Sequence, residues 1–238
     1  MKIPKHLVLF PDGNRRWALK RGLPAIQGHL AGRDNFKRIL LYAKEKGIKI
    51  LTVFGFSTEN WKRSKEEVKF LMKLFEEGLS EKGIWGRLHK EGVKIKVIGQ
   101  KERLPKSLQK VIERIENLTK NNRKFHLNLA VSYGGRWDIL QAVKKIIKKK
   151  INPERITENL INKYLTTAGL SEPDLVIRAG GEKRFSNFLL WQSAYAELYF
   201  SDKLWPDFSE KDLDKALEDF SKRERRFGGK KIRQYLKA

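Results

Sequence analysis

The apolar residues of this chain change period repeatedly, from strand-like to helix-like and back, and that alternation constrains the fold more than any other feature. His6–Phe10 is a short apolar run that breaks at Pro11-Asp12-Gly13. Phe36, Ile39, Leu40 and Ala43 then recur at helical spacing, and Gly47 ends the stretch. Ile50–Phe56 is β-branched and aromatic, as in a buried strand. Ser64 and Glu67 have capping-box spacing ahead of a helical face at Val68, Leu71, Met72 and Phe75. Val93, Ile95 and Val97 alternate with Lys94 and Lys96, which predicts a strand with one wet face.

The rhythm continues in the second half. Leu108, Val111, Ile112 and Ile115 predict a helix, and Phe125, Leu127, Leu129 and Val131 a strand. Ile139, Leu140, Val143, Ile146 and Ile147 read as the apolar face of the next helix. Leu175–Ile177 and Ala196–Phe200 are short strands, and Ser209 caps a last helix burying Leu213, Ala216, Leu217 and Phe220. Strands alternating with helices predict an α/β fold around a mostly parallel sheet. No low-complexity linker or internal repeat divides the sequence, so residues 1–238 are read as a single domain.

Composition narrows the class. Of 238 residues, 40% are hydrophobic and 11% aromatic, too apolar for a disordered chain. The absence of cysteine excludes a disulfide framework, a thiolate metal site and a thiol nucleophile. No apolar run reaches the roughly 18 residues of a membrane-spanning helix, and the basic N-terminus lacks the apolar stretch of a signal peptide. A soluble, cytoplasmic protein is the expectation. The formal net charge of +24 predicts affinity for anions: nucleic acid, an acidic membrane surface or a phosphorylated substrate.

In parallel sheets, ligands bind beyond the carboxyl ends of the strands, and three post-strand loops carry anion-binding chemistry. After the first strand comes Asp12-Gly13-Asn14-Arg15-Arg16-Trp17, a tight turn followed by two guanidinium groups suited to phosphate oxygens. Asp12 is the odd member, because a carboxylate repels a phosphate. A bridging divalent cation resolves that conflict; a plain turn with Asp12 neutralised by the arginines is the alternative. After the second strand, Ser57-Thr58-Glu59-Asn60-Trp61-Lys62-Arg63 offers hydroxyls, an amide and another guanidinium, and also suits helix capping. After the strand ending at Ile177, a Gly180-Gly181 turn lies between Arg178 and Arg184, with Ser186 close by. Glu197 stands in the last short strand, where a carboxylate needs a partner.

Several blocks carry a resemblance. Asp12-Gly13-Asn14 with Arg16-Trp17-Ala18, Gly28-His29 with Ala31-Gly32, and Phe56-Ser57-Thr58-Glu59-Asn60-Trp61 are three of them. Tyr133-Gly134-Gly135-Arg136-Trp137-Asp138, Asp174–Arg178 with Gly181-Glu182, and Ser186–Gln192 follow in order. Ala194–Leu198, Trp205–Phe208 and Arg223–Gly229 complete the set. Together they resemble the cis-prenyltransferase (undecaprenyl diphosphate synthase) family, from about His6 to Gly229.

The resemblance implies an enzyme that condenses isopentenyl diphosphate with an allylic prenyl diphosphate, using Mg²⁺, to give a cis-polyprenyl diphosphate. It implies a six-stranded sheet flanked by helices, a homodimer, and peripheral membrane contact for long products. By the same resemblance Asp12 and Glu197 are metal ligands, and Asp12 and Asn60 the catalytic pair. A neutral amide is a poor base, so Asn60 is read as a positioning group. Gly13, Asn14, Arg15, Arg16 and His29 are expected to cradle the allylic diphosphate. Arg178, Arg184 and Ser186 are expected to hold the isopentenyl diphosphate, while Ser57, Thr58, Glu59, Trp17, Trp61 and Arg63 complete the substrate pocket. The helices at Phe36–Ala43 and Val68–Leu79 are expected to wall a product channel.

The chain departs from the common bacterial pattern at Arg15 (usually glycine), Ala25 (often arginine) and Lys183 (often histidine), and its Gly78–Arg87 segment is slightly longer. Alternatives of the same fold are a short-chain or head-to-middle synthase, or a non-catalytic partner subunit. A nucleic-acid partner is not expected, because the site arginines sit in defined loops.

Overall fold

A computed structural model describes residues 1–80 and 88–225. The strands are β1 (His6–Phe10), β2 (Ile50–Ser57), β3 (Val93–Ile98), β4 (Phe125–Tyr133), β5 (Leu175–Arg178) and β6 (Glu197–Phe200). They form one sheet in the order β3-β4-β2-β1-β5-β6, and every pairing is parallel. The expectation of a mostly parallel sheet is thus met in its strict form. Central parallel strands are covered on both faces, which is why all five residues of β1 are buried.

The helices are α1 (Asn14–Leu19), α2 (Ala25–Glu45), α3 (Lys65–Leu79), α4 (Lys106–Thr119), α5 (Gly135–Lys148), α6 (Glu158–Tyr164) and α7 (Glu210–Lys222). The larger core packs Ile39 and Leu40 of α2, Leu71 and Met72 of α3, Ile112 of α4 and Leu217 of α7 against β1–β4. The smaller core, on other side chains of the sheet, joins Phe10, Phe54, Tyr133 and Phe188 in edge-to-face and stacked ring contacts. Ser209 caps α7 through a reciprocal capping box with Asp212, as its sequence predicts.

Three local expectations are corrected. Ser64 accepts the Glu67 backbone N–H, but the Glu67 carboxylate does not return to it, so only half of that capping box forms. In β3 the wet face is only partial, because Lys96 turns back to donate to the Thr166 carbonyl at 2.8 Å. On α5 the buried face is Asp138, Ala142 and Ile146, while Leu140, Val143 and Ile147 are exposed. The Gly78–Arg87 segment falls mostly outside the described residues, as does the tail from Arg226.

The amino edge of the sheet carries a pH-sensitive anchor. His6 is fully buried, with Nε2 2.8 Å from Thr52 Oγ1 and Nδ1 2.6 Å from the Ser171 carbonyl. Burial lowers its pKa to about 4, against smaller opposing effects of Ser171 and Asp174. The unfolded chain therefore takes up this proton first, near the ordinary value of about 6.5. Stability is complete above that pH and is lost as pH falls toward 4, by roughly 3 kcal/mol in all. Denaturant titrations from pH 7 to 4 are expected to show this loss, and His6→Gln to flatten it. An unchanged slope in that variant assigns the loss to other groups.

Candidate active site

The chain adds β2 on one side of β1 and later crosses to add β5 on the other, so the order of strand addition reverses between β1 and β5 while every pairing stays parallel. A crevice at such a switch point opens beyond the carboxyl ends of the two strands. Phe10 and Arg178 are register partners at those ends, and Asp12 follows two residues later.

Asp12 lies between two guanidinium groups. Its Oδ2 is 2.8 Å from Arg178 Nη2 and its Oδ1 3.3 Å from Arg16 Nη2. Arg178 is only 4% exposed, with its charged group over the Phe10 ring at 5.2 Å. Its Nη1 donates to Ser186 Oγ at 2.8 Å and to the Arg184 carbonyl. Its Nε is buried and has no partner among the described residues. Glu182 bridges the outer arginines, accepting from Arg16 Nη1 at 3.2 Å and from Arg184. Asp12, Arg16, Arg178, Arg184 and Ser186 thus come together as the sequence predicts, with Glu182 as an added member.

Local backbone makes this convergence possible. Gly180 has φ of +94°, and a Cβ there would stand 2.8 Å from Arg16 Nη2 and 3.1 Å from the Asp12 carbonyl. A side chain would therefore push the β1 and β5 loops apart. Ser186, Asn187 and Leu189 also have positive φ, a conformation costing about 1–3 kcal/mol each unless neighbours enforce it. Asn187 supplies that enforcement: Nδ2 donates to Glu59 at 2.9 Å and Oδ1 accepts the Arg136 N–H at 2.9 Å.

A second cluster forms beside the first, around a residue that sequence reasoning used only as a cap. Glu67 Oε1 accepts from Arg63 Nη1 and lies against His29 Nε2, both at 3.0 Å, while Oε2 is 3.5 Å from Arg15. Arg63 lies just before the N-cap of α3, in extended backbone, and reaches forward over the first turn to Glu67. Asp12 is close enough to help hold the charge of Arg63, which ties the two clusters together. Burial pushes the His29 pKa down, opposed by its Glu67 contact. As a neutral ring giving Nε2–H to Glu67, His29 has no N–H left for a phosphate until it gains a proton.

The β2 loop has its own arrangement. Asn60 Oδ1 accepts the Ser57 N–H at 3.0 Å, so its amide oxygen is committed to the backbone and the helix-capping alternative is the one observed. Thr58 packs against Gly134, where a Cβ would approach its hydroxyl to 2.7 Å. Trp61 donates to Ser132 Oγ at 2.8 Å. Trp17 faces the outer surface, donating to Asp207 at 2.7 Å beneath Arg21. Gly13 is the N-cap of α1, and Asn14 places its Oδ1, buried and without a partner among the described residues, against Gly32 of α2.

Glu197 is not brought to this cluster. It pairs in register with Leu175, at the amino end of β5, and its carboxylate binds Arg223 at 3.0 Å. Three residues of strand, about 10 Å, separate it from the edge that holds Arg178. Within one chain the expected Asp12–Glu197 metal pair is therefore not formed. Among the described residues no group of three or more His, Cys, Asp or Glu side chains is placed to hold a metal. The donors at Asp12 and Glu182 instead fit Mg²⁺ brought in on a phosphate, which needs only one or two protein carboxylates. Lys183, between them and Arg184, is exposed.

The family model described as putative undecaprenyl diphosphate synthase matches residues 10–228. This chain belongs to that family. It is a prenyltransferase. Proteins named isoprenyl transferase from Neisseria meningitidis and Aquifex pyrophilus are each 51% identical to it, over 95% and 96% of this chain and 90% and 97% of their own. Lavandulyl diphosphate synthase from Lavandula x intermedia, solved with dimethylallyl diphosphate, superposes with a TM-score of 0.90 at 40% identity, covering 95% of this chain and 98% of that one. A probable undecaprenyl diphosphate synthase from Campylobacter jejuni gives 0.80 at 35% identity, covering 96% and 100%. No described helix of the prenyltransferase is long and apolar enough to cross a membrane.

Proposed function

We propose that this prenyltransferase condenses isopentenyl diphosphate with an allylic prenyl diphosphate, with Mg²⁺, to give a cis-polyprenyl diphosphate. The observation that carries the reading is Asp12, shared by Arg16 on one side and Arg178 on the other. A carboxylate held at the boundary of two cationic cradles suits a reaction with two diphosphates. Arg16, Asn14 and the Gly13–Arg16 backbone hold the allylic diphosphate, with Arg15, Arg63 and His29 beside them. Arg178, Arg184 and Ser186 hold the isopentenyl diphosphate.

Asp12 would hold Mg²⁺, which when bound would supply neutralisation of the charge developing on the leaving diphosphate. The arginines are already oriented by Asp12, Glu182 and Glu67, so they need little reorganisation when that charge appears. Asn60 orders the β2 loop, and the proton released on forming the double bond passes to a diphosphate oxygen or water. The growing chain lies between α2 and α3, along the partly buried Phe36, Leu74 and Phe75. The exposed Leu140, Val143 and Ile147 stripe of α5 supplies an apolar face for a homodimer. The enzyme works in the cytoplasm, with peripheral membrane contact when its product is long.

The superposition on lavandulyl diphosphate synthase favours a second reading, a short-chain or head-to-middle condensation on the same residues. Mass spectrometry of products from labelled isopentenyl diphosphate with geranyl, farnesyl or geranylgeranyl diphosphate separates the two. The leading reading expects a ladder of five-carbon additions, abolished by EDTA and restored by Mg²⁺, from a preparation that sediments as a dimer. A single five-carbon addition with branched products would support the second, and turnover undiminished by EDTA would remove Mg²⁺ from both.

A further inference from the structure

A cleft of about 650 Å³ lies between α3 and the turn at residues 103–107; its lining includes none of Asp12, Arg16, Arg178 and Arg184 but shares Trp61 and Arg63 with the expected substrate pocket. With 3.6 residues per turn, its α3 wall of Val68, Met72 and Glu76 is centred about 130° around the helix from Glu67, Leu71 and Leu74, and Val68 and Met72 border the larger core there. Its floor is apolar, from Val68, Met72, Leu104 and Pro105. Its rim is cationic. Lys65, Lys69 and Lys73 line one side at four-residue intervals, all exposed, and Arg63 and Arg103 close the end.

A row of like charges at this spacing disfavours the helix that carries it. Lys73 has a distant contact with Glu77 at 3.8 Å, but Lys65 and Lys69 have no ion pair among the described residues. The single carboxylate of the lining, Glu76, accepts from Ser107 at 2.8 Å. The end wall is fixed: Arg103 stacks over Trp61 at 4.9 Å, and Arg103 and Ser132, which holds the Trp61 indole, both donate to Gln100. The volume lies within the range of sites for small amphiphilic ligands.

We infer that this cleft is a second binding site for an anionic, single-chain amphiphile, namely a prenyl diphosphate of the product class. The hydrocarbon rests on Val68, Met72 and Leu104, and the head is taken by Lys69, Lys73 and Arg63. Arg63 is also the ion-pair partner of Glu67, which touches His29. An anion drawn to Arg63 from the cleft side therefore competes with Glu67 for that guanidinium and lowers turnover through a residue beside the allylic diphosphate, while the hydrocarbon stays in the cleft. The product identity rests on the function proposed above; the cleft and its chemistry do not.

The test uses n-dodecyl phosphate, which has the head and chain but cannot react, titrated calorimetrically in the presence of saturating inorganic diphosphate. The parent protein is expected to bind one equivalent per chain, and the Lys69→Glu/Lys73→Glu variant to bind at least tenfold more weakly while retaining parental turnover. Methyl phosphate, with no chain, is expected to bind neither protein. Equal dodecyl phosphate affinity in parent and variant, or equal affinity for methyl and dodecyl phosphate, overturns the inference. Loss of prenyl transfer in the parent with the charge-sensitive binding intact would instead sink the proposed function and leave the site standing.

Discussion

Asp138→Ala is expected to lower stability by about 3–5 kcal/mol through the loss of a buried hydrogen-bond network, a large fraction of what holds a domain of this size together. Asp138 is fully buried and its carboxylate accepts from the Tyr133 hydroxyl at 2.8 Å, the Thr166 N–H at 2.9 Å, the Thr166 hydroxyl at 3.0 Å and Gln192 Nε2 at 3.1 Å. Those donors come from the end of β4, the segment after α6, and the turn that follows Ser186–Leu189. Deleting the carboxylate leaves several of them buried without an acceptor, at about 1–3 kcal/mol each before relaxation. The same residue holds Tyr133 against Phe188, so the Ser186–Asn187 turn loses part of its support. A thermal midpoint lower by roughly 10 °C follows for a domain of this size. Asp138→Asn keeps one acceptor oxygen and is expected to lose less. A shift of under about 1 kcal/mol for the alanine variant would show that the network relaxes around the gap.

Much of the architecture was legible because burial writes itself into the sequence. His6–Phe10 and Ile50–Phe56 are continuous apolar runs since both faces of a central parallel strand are covered. Asp12, Ser57 and Arg178 could be placed at one edge because every strand of a parallel sheet ends there. The same rule also carried the correction to Glu197: Ala196–Phe200 was read as a strand, so a residue at its beginning belongs to the opposite edge. Other features depend on contacts that periodicity does not encode. Leu140, Val143 and Ile147 follow a helical period whether they face a core, a second copy or water. The Glu67 carboxylate had two local options, Ser64 and Arg63, and the nearby His29 and Arg15 of other helices decided between them. Nor does the period encode where the Asn60 amide oxygen points, which is to the Ser57 N–H.

Asp12→Asn separates the chemistry from the fold. The amide keeps the size of the side chain and loses the charge that faces Arg16 and Arg178. The fold is expected to survive with a loss of about 1–3 kcal/mol, since Arg178 keeps Ser186, the Arg184 carbonyl and the Phe10 ring. The chemical step has no such reserve. Without the carboxylate at the boundary of the two cradles, no described acid replaces it beside both Arg16 and Arg178, and stabilisation of the leaving diphosphate falls. Removal of one such preorganised group typically costs about 10²–10³ in rate, and loss of the cation with it places the expectation at the upper end. The direct measurement is a single-turnover experiment with labelled isopentenyl diphosphate and saturating farnesyl diphosphate and Mg²⁺, on parent and Asp12→Asn protein with matching circular dichroism. Transfer slowed about 10³-fold is the expected result; transfer within about tenfold of the parent would contradict the role given to Asp12.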